Sequence, residues 1–178
     1  MKNQSILILF LGLMIFLAAP LLSWNPVRRL TWNTGNSVNP AVAVNSAKNI
    51  HIVWADDVSG NSEIYYRKSL DSGATWSAIK RLTWNTDASY SACIATSTIN
   101  TNVFISVAWI NIIQGNIDLF HKSSTMNGST WGSTERLTWT TNIDYSPAIA
   151  FEQNALGLNV LWYAWMSSSN EIFYKRNH

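Results

Sequence analysis

Two sets of residues in this chain are of types that do chemistry. One is a pair of neighbouring carboxylates, Asp56-Asp57. Adjacent acids can divide general acid and general base work, or hold Ca²⁺ through oxygen ligands. The other is three tryptophans, Trp32, Trp84 and Trp139, each followed by a short polar stretch; two of these stretches end on Tyr90 and Tyr145. An indole ring with short polar groups around it suits a sugar, whose C–H face the ring covers. Both sets also have a plainer reading, Asp56-Asp57 as a solvated turn tip and the three Trp as caps on packing. His51 and His121 have no second ligand at metal spacing, so no metal or cofactor is expected. The chain has no P-loop, GxGxxG, GxSxG or HExxH motif, and no catalytic residue is assigned. Cys93 is the single cysteine. That excludes an intrachain disulfide and paired-cysteine metal sites, and its small-residue strand makes it a buried, inert thiol.

The elements that position these residues repeat. Arg29-Leu30-Thr31-Trp32 recurs as Arg81-Leu82-Thr83-Trp84 and Arg136-Leu137-Thr138-Trp139, at offsets of 52 and 55. Five residues before each Arg stands another Trp: Trp24, Trp76 and Trp131. After each copy come a polar loop and three β-like runs. The third runs, Glu63–Arg67, Asp118–Lys122 and Glu171–Lys175, alternate with period two, as a strand with one wet face does. Four short antiparallel strands per unit of about 50 residues predict a propeller blade. A sandwich has no reason to repeat its sequence at that period.

Composition agrees. Only 12% of residues are charged, about half the share of roughly 25% in ordinary domains. Asn, Ser and Thr supply 54 of the 178 residues, and there are ten Trp. That profile excludes a disordered chain and argues against a helical bundle. A net charge of +2 without a basic cluster builds no phosphate-binding face, so no nucleic acid is expected. Lys2 and the uncharged run 6–22, broken by Ala18-Ala19-Pro20, read as a signal peptide over residues 1–23; an uncleaved membrane anchor is the alternative. Either way residues 24–178 are expected outside the cytoplasm.

Between the third and fourth strands of the first unit lies Ser69-Leu-Asp71-Ser-Gly73-Ala-Thr75-Trp76. This resembles the Asp-box, or BNR, repeat of sialidases and other propellers. The second unit has Ser124-Thr-Met126-Asn-Gly128-Ser-Thr130-Trp131, with Met126 where the Asp belongs. The motif's roles are structural. The carboxylate accepts backbone N–H groups of its own turn, Gly supplies a positive φ, and Trp buries apolar area under the hairpin. Met126 cannot accept those bonds, so the second turn is expected to be looser.

The fourth strands are expected at 24–32, 76–84 and 131–139. The third unit then lacks a fourth strand of its own, and 24–32 supplies one, within the chain or to a second copy. Residues 24–178 make three blades, fewer than the roughly four to eight of closed propellers. Two copies could form a six-bladed ring, or the chain could be a fragment of a longer gene. The resemblance places a ligand on the face opposite the boxes, where Trp32, Trp84, Trp139, Asp56, Asp57, Tyr90 and Tyr145 fall. It implies a secreted or surface-tethered module binding a glycan or a protein. A piece of a sialidase-like hydrolase and a purely structural module are the alternatives. Sialidase chemistry needs an Arg triad, but Arg29, Arg81 and Arg136 belong to the repeat, and only Arg28 has no basic counterpart.

Overall fold

The computed structural model describes residues 24–139, 141–152 and 157–177. The apolar segment read as a signal peptide or anchor lies outside them. Among the described residues the regular structure is all β, in three antiparallel sheets that each follow chain order. The first holds β1 (Ser37–Val44), β2 (Ile50–Asp56), β3 (Glu63–Ser69) and β4 (Lys80–Arg81). The second holds β5 (Ser89–Ile99), β6 (Asn102–Ile113), β7 (Asn116–Ser124) and β8 (Glu135–Arg136). The third holds β9 (Ile143–Phe151), β10 (Leu158–Met166) and β11 (Ser169–Arg176). Thr31–His178 form one compact unit. Residues 24–32 carry no regular structure. The three sheets do not close on themselves.

The backbone repeats as the sequence does. Each sheet's first strand is bulged against its second, and each bulge holds a residue at positive φ: Asn39 at 50°, Ser91 at 52° and Ser146 at 47°. The extra residue bends the strand and increases its twist. In each sheet the second strand's Trp stacks on the third strand's aromatic ring: Trp54 on Tyr65, Trp109 on Phe120 and Trp162 on Phe173.

The sheets pack face to face through two cores. Val53, Ala55, Ile64 and Tyr66 of the first sheet meet Ile94, Ile105, Val107 and Trp109 of the second. Ile110 and Leu119 of the second meet Leu158 and Val160 of the third. Alternation does this: one strand face looks forward to the next sheet, the other back to the previous one.

The repeated Arg-Leu-Thr triplet fastens each fourth segment to its third strand. Leu82 N–H donates to the Ile64 carbonyl at 2.7 Å, and Ile64 N–H donates to the Thr83 hydroxyl at 2.8 Å. The Thr83 hydroxyl in turn donates to the fully buried Glu63, whose other oxygen holds Arg81 at 2.9 Å. The second sheet copies this with Leu137, Thr138, Arg136 and Asp118, the ion pair at 2.5 Å. Here lies a difference from the sequence expectation. The fourth strands are two residues long rather than nine: in the first sheet the Thr83 hydroxyl takes the Ile64 N–H past Arg81, and the Ser77 hydroxyl takes the Lys68 N–H before Lys80. The third sheet has three strands.

A buried histidine sits in the first core. His51 Nδ1 lies 2.8 Å from the Tyr66 hydroxyl, with the rings stacked at 6.1 Å. Burial, aided by the charge of Lys68, pulls its pKa down to about 4. The folded state therefore holds a neutral ring that the unfolded chain protonates below pH 6.5. The stability this confers is complete above pH 6.5 and is lost as pH falls toward 4, by about 3 kcal/mol. Urea midpoints at pH 7, 5.5 and 4.5 should fall for the wild type and fall less for His51→Gln. Parallel pH profiles for the two would remove His51 from this role.

Candidate functional site

The β2–β3, β6–β7 and β10–β11 hairpins share one face with the connections that run from each fourth segment to the next first strand. In the first sheet this gap is sealed. Asp56 is 1% exposed and accepts from Asn33 Nδ2 at 2.9 Å, Ser37 Oγ at 2.6 Å, Trp54 Nε1 at 3.2 Å and Val58 N–H at 3.0 Å. These bonds hold its carboxyl below the usual range against the opposing effect of burial. Asp57 accepts the Asn36 N–H at 2.7 Å and Nδ2 at 2.8 Å, and these bonds lower its pKa too. The connection comes so close that a Cβ on Gly35 would stand 2.5 Å from Asp56 Oδ1. The singular acid pair thus clips the connection to the hairpin.

The other sheets lack that clip. At the position of Asp56 stand Asn111 and Ala164, and at that of Asp57 stand Ile112 and Trp165. Trp54 and Trp162 nevertheless each bond an acid. Trp162 Nε1 donates to Asp144 Oδ1 at 3.1 Å, so the acid has moved from the second strand to the first. Burial raises the Asp144 pKa, helped by the charge of Asp118. In the third sheet the gap between connection and hairpin is open. It forms a cleft of about 410 Å³ lined by Thr141, Asn142, Ile143, Trp165, Met166 and Ser167. Trp165 and Met166 are exposed there.

The repeated tryptophans lie at the seams between sheets. Trp84 has the Arg81 guanidinium 5.7 Å and the Lys122 ammonium 5.6 Å from its ring centre, and Lys122 also donates to the Leu82 carbonyl at 3.0 Å. Trp139 repeats this with Arg136 at 5.9 Å and Lys175 at 5.7 Å, Lys175 donating to the Leu137 carbonyl at 2.9 Å. Both rings stay 66–67% exposed, and Trp32 is exposed as well. The seam is therefore held by a cation from each side, with the ring still open to solvent. Tyr90 and Tyr145 are half-buried between the second and third sheets, Tyr145 beside Tyr163 at 5.3 Å. Burial and the neighbouring Tyr145 phenol push the Tyr90 pKa up.

The opposite face carries the Ser69–Trp76 turn. Ser69 Oγ accepts the Gly73 N–H at 2.8 Å and donates to Asp71 Oδ1 at 2.7 Å. Asp71 accepts the Thr75 N–H at 2.8 Å and hydroxyl at 2.5 Å, which pulls its pKa down to about 2. The Ser124–Trp131 turn keeps the serine bond, Gly128 N–H to Ser124 Oγ at 3.0 Å, while Met126 offers Thr130 no acceptor. Cys93 is half-buried, its thiol pushed up to about 12 by burial. Among the described residues no group of His, Cys, Asp and Glu is placed to hold a metal, and no helix is long and apolar enough to cross a membrane.

The structure thus gathers Trp84, Trp139, Asp56 and Asp57 onto one face but does not converge them on one cavity. Trp165 and Met166, which line the cleft, were not singled out by the sequence reading. The signal was available: Trp165 departs from the repeat, where Asp57 and Ile112 stand. No protein-family model matches this chain, and no curated protein matches it either.

Proposed function

We propose that the chain is an exported, non-catalytic recognition module, a three-bladed part of an Asp-box propeller that binds a glycan at the hairpin face. The observation that carries this is the open cleft beside Trp165, where an exposed indole stands with Thr141, Asn142 and Ser167 around it. An aromatic wall with short donors and acceptors is sugar-binding chemistry, and the volume suits a small saccharide. The non-catalytic reading is supported by the singular acids, since Asp56 accepts from four donors.

A second reading, a purely structural module, is favoured by the cation contacts that tie Trp84 and Trp139 into the seams. A glycan array followed by calorimetry separates the two. The wild type should bind, Trp165→Ala should bind about tenfold more weakly or worse, and Trp84→Ala should bind within a few-fold of wild type. Absence of any glycan ligand, or equal binding by Trp165→Ala, would leave the structural reading. Hydrolysis of a fluorogenic sialoside would overturn the non-catalytic one.

A further inference from the structure

The outer edge of β11 repeats a contact site that the chain fills twice elsewhere. In the first two sheets an acid near the start of the third strand, Glu63 or Asp118, takes an arginine and a threonine from the fourth segment. The residue after the acid finishes the contact. Ile64 N–H donates to the Thr83 hydroxyl at 2.8 Å, and Leu119 N–H donates to the Thr138 hydroxyl at 2.9 Å. Their carbonyls accept the N–H of Leu82 at 2.7 Å and of Leu137 at 2.8 Å. Each site is thus one carboxylate, one N–H and one carbonyl, matched by an Arg-Leu-Thr triplet on an antiparallel neighbour.

The third sheet holds the same parts. Its register puts Glu171 at the position of Glu63 and Asp118, and Ile172 at that of Ile64 and Leu119. The carboxylate is anchored alike in all three sheets, because the residue two before it donates: Asn61 Nδ2 at 3.4 Å, Asn116 Nδ2 at 3.1 Å and Ser169 Oγ at 3.2 Å. β11 is also seated as β7 is. Lys175 lies over Trp139 and donates to the Leu137 carbonyl, as Lys122 does with Trp84 and Leu82. What differs is the outer side. Among the described residues β11 has β10 on one side and no strand on the other. Glu63 and Asp118 are fully buried, whereas Glu171 is exposed. Ile64 and Tyr66 share a buried cluster with Leu82, whereas their counterparts Ile172 and Tyr174 are 72% and 59% exposed.

We propose that the outer edge of β11 docks an extended segment of a partner protein, one that carries an arginine and a threonine two positions apart with an apolar residue between them. The segment adds as a fourth, antiparallel strand. Its arginine pairs with Glu171, and its threonine hydroxyl accepts the Ile172 N–H. Its apolar residue covers Ile172. Main-chain bonds along an open edge supply affinity in such additions, and side chains supply selectivity. The charge supplies it here, since a guanidinium fork suits a carboxylate and an acidic strand would be repelled. The segment comes from another protein because the chain's own triplets are engaged. Arg81–Thr83 and Arg136–Thr138 hold their own sheets, and Arg29, Leu30 and Thr31 make interactions of their own. This inference stands whether or not the cleft beside Trp165 binds a glycan.

A fluorescein-labelled peptide with the sequence of residues 76–86 serves as the probe, titrated with the full chain and followed by anisotropy. It should bind saturably at micromolar protein. Arg81→Ala and Thr83→Val versions of the peptide should each bind about tenfold more weakly or worse. Glu171→Arg in the protein should weaken the wild-type peptide by a similar factor and should bind an Arg81→Glu peptide better than the wild-type protein does. That gain shows that the variant is folded, so loss of binding is not loss of fold. Hydrogen exchange at the Ile172 amide should slow when the peptide is bound. Absence of saturable binding, or binding unchanged by Glu171→Arg, would overturn the proposal; the second result would mean that the peptide displaces the chain's own segment from the first sheet instead.

Discussion

Replacing Arg81 with alanine should destabilise the fold by about 3–5 kcal/mol, an effect set by what the change leaves behind. Glu63 is 0% exposed and shares its charge between the Arg81 guanidinium at 2.9 Å and the Thr83 hydroxyl. Arg81 also spans the segment's own turn, its Nε donating to the Thr83 carbonyl at 2.6 Å. Without it a buried carboxylate keeps the hydroxyl and a long contact of 3.4 Å from Asn61 Nδ2. Desolvation of that charge is then uncompensated. Arg81→Lys should recover part of the loss, because an ammonium keeps the charge but lacks the two separated nitrogens with which the guanidinium meets the carbonyl and the carboxylate. Glu63→Gln should cost less, about 1–2 kcal/mol, since Arg81 is a quarter exposed and water can take it up. Urea unfolding followed by far-ultraviolet circular dichroism measures all three. If Arg81→Ala costs no more than Glu63→Gln, the buried charge is not what the arginine serves. Arg136→Ala offers an independent copy of the test, with Asp118 in the place of Glu63.

This lock shows where the sequence was readable and where it was not. The recurrence of Arg-Leu-Thr-Trp announced a structural unit, and the period-two third runs announced strands; both follow from local pattern. The partner of the arginine did not announce itself, although Glu63 and Asp118 each lie 18 residues before it. The ion pair forms between two strands, and pattern along one strand does not report bonds across to another. Length failed for a related reason. The stretch from Trp76 to Trp84 looks strand-like throughout, yet Thr83 at one end and Ser77 at the other substitute a hydroxyl for a backbone acceptor, and the ladder keeps two residues. Asp56 and Asp57 were singled out because nothing in the other units matches them. That singularity was real, but their donors Asn33, Asn36 and Ser37 lie about 20 residues back, and only folding brings the clip together. The same departure from repeat at Trp165 opens the cleft. A break in the repeat therefore marked where the units differ, without saying whether the difference seals or exposes.

Gly128→Ala should cost about 3–5 kcal/mol, against about 1–2 for the equivalent Gly73→Ala. Both glycines hold positive φ in matching turns, 72° at Gly128 and 92° at Gly73, so both variants pay the left-handed backbone term. Their surroundings differ. A Cβ at Gly73 would meet Ile50 Cδ1 at 3.5 Å, an ordinary contact. A Cβ at Gly128 would stand 1.9 Å from the Tyr66 hydroxyl and 2.6 Å from Cζ, which no pair of atoms tolerates. Tyr66 has little room to withdraw. It is 2% exposed, bonded to His51 at 2.8 Å, and met edge-on by the Trp131 ring at 5.0 Å. Moving it opens the first inter-sheet core and breaks the bond to the buried His51 ring, whose Nε2 has no hydrogen-bond partner among the described residues. Tyr66→Phe in the Gly128→Ala background removes the closest atom but not Cζ, so it should recover a minor part of the loss. Paired melts of Gly73→Ala and Gly128→Ala decide the matter. Equal losses would mean that the second turn can shift off Tyr66, and that this glycine serves its own backbone rather than the seam between the first two sheets.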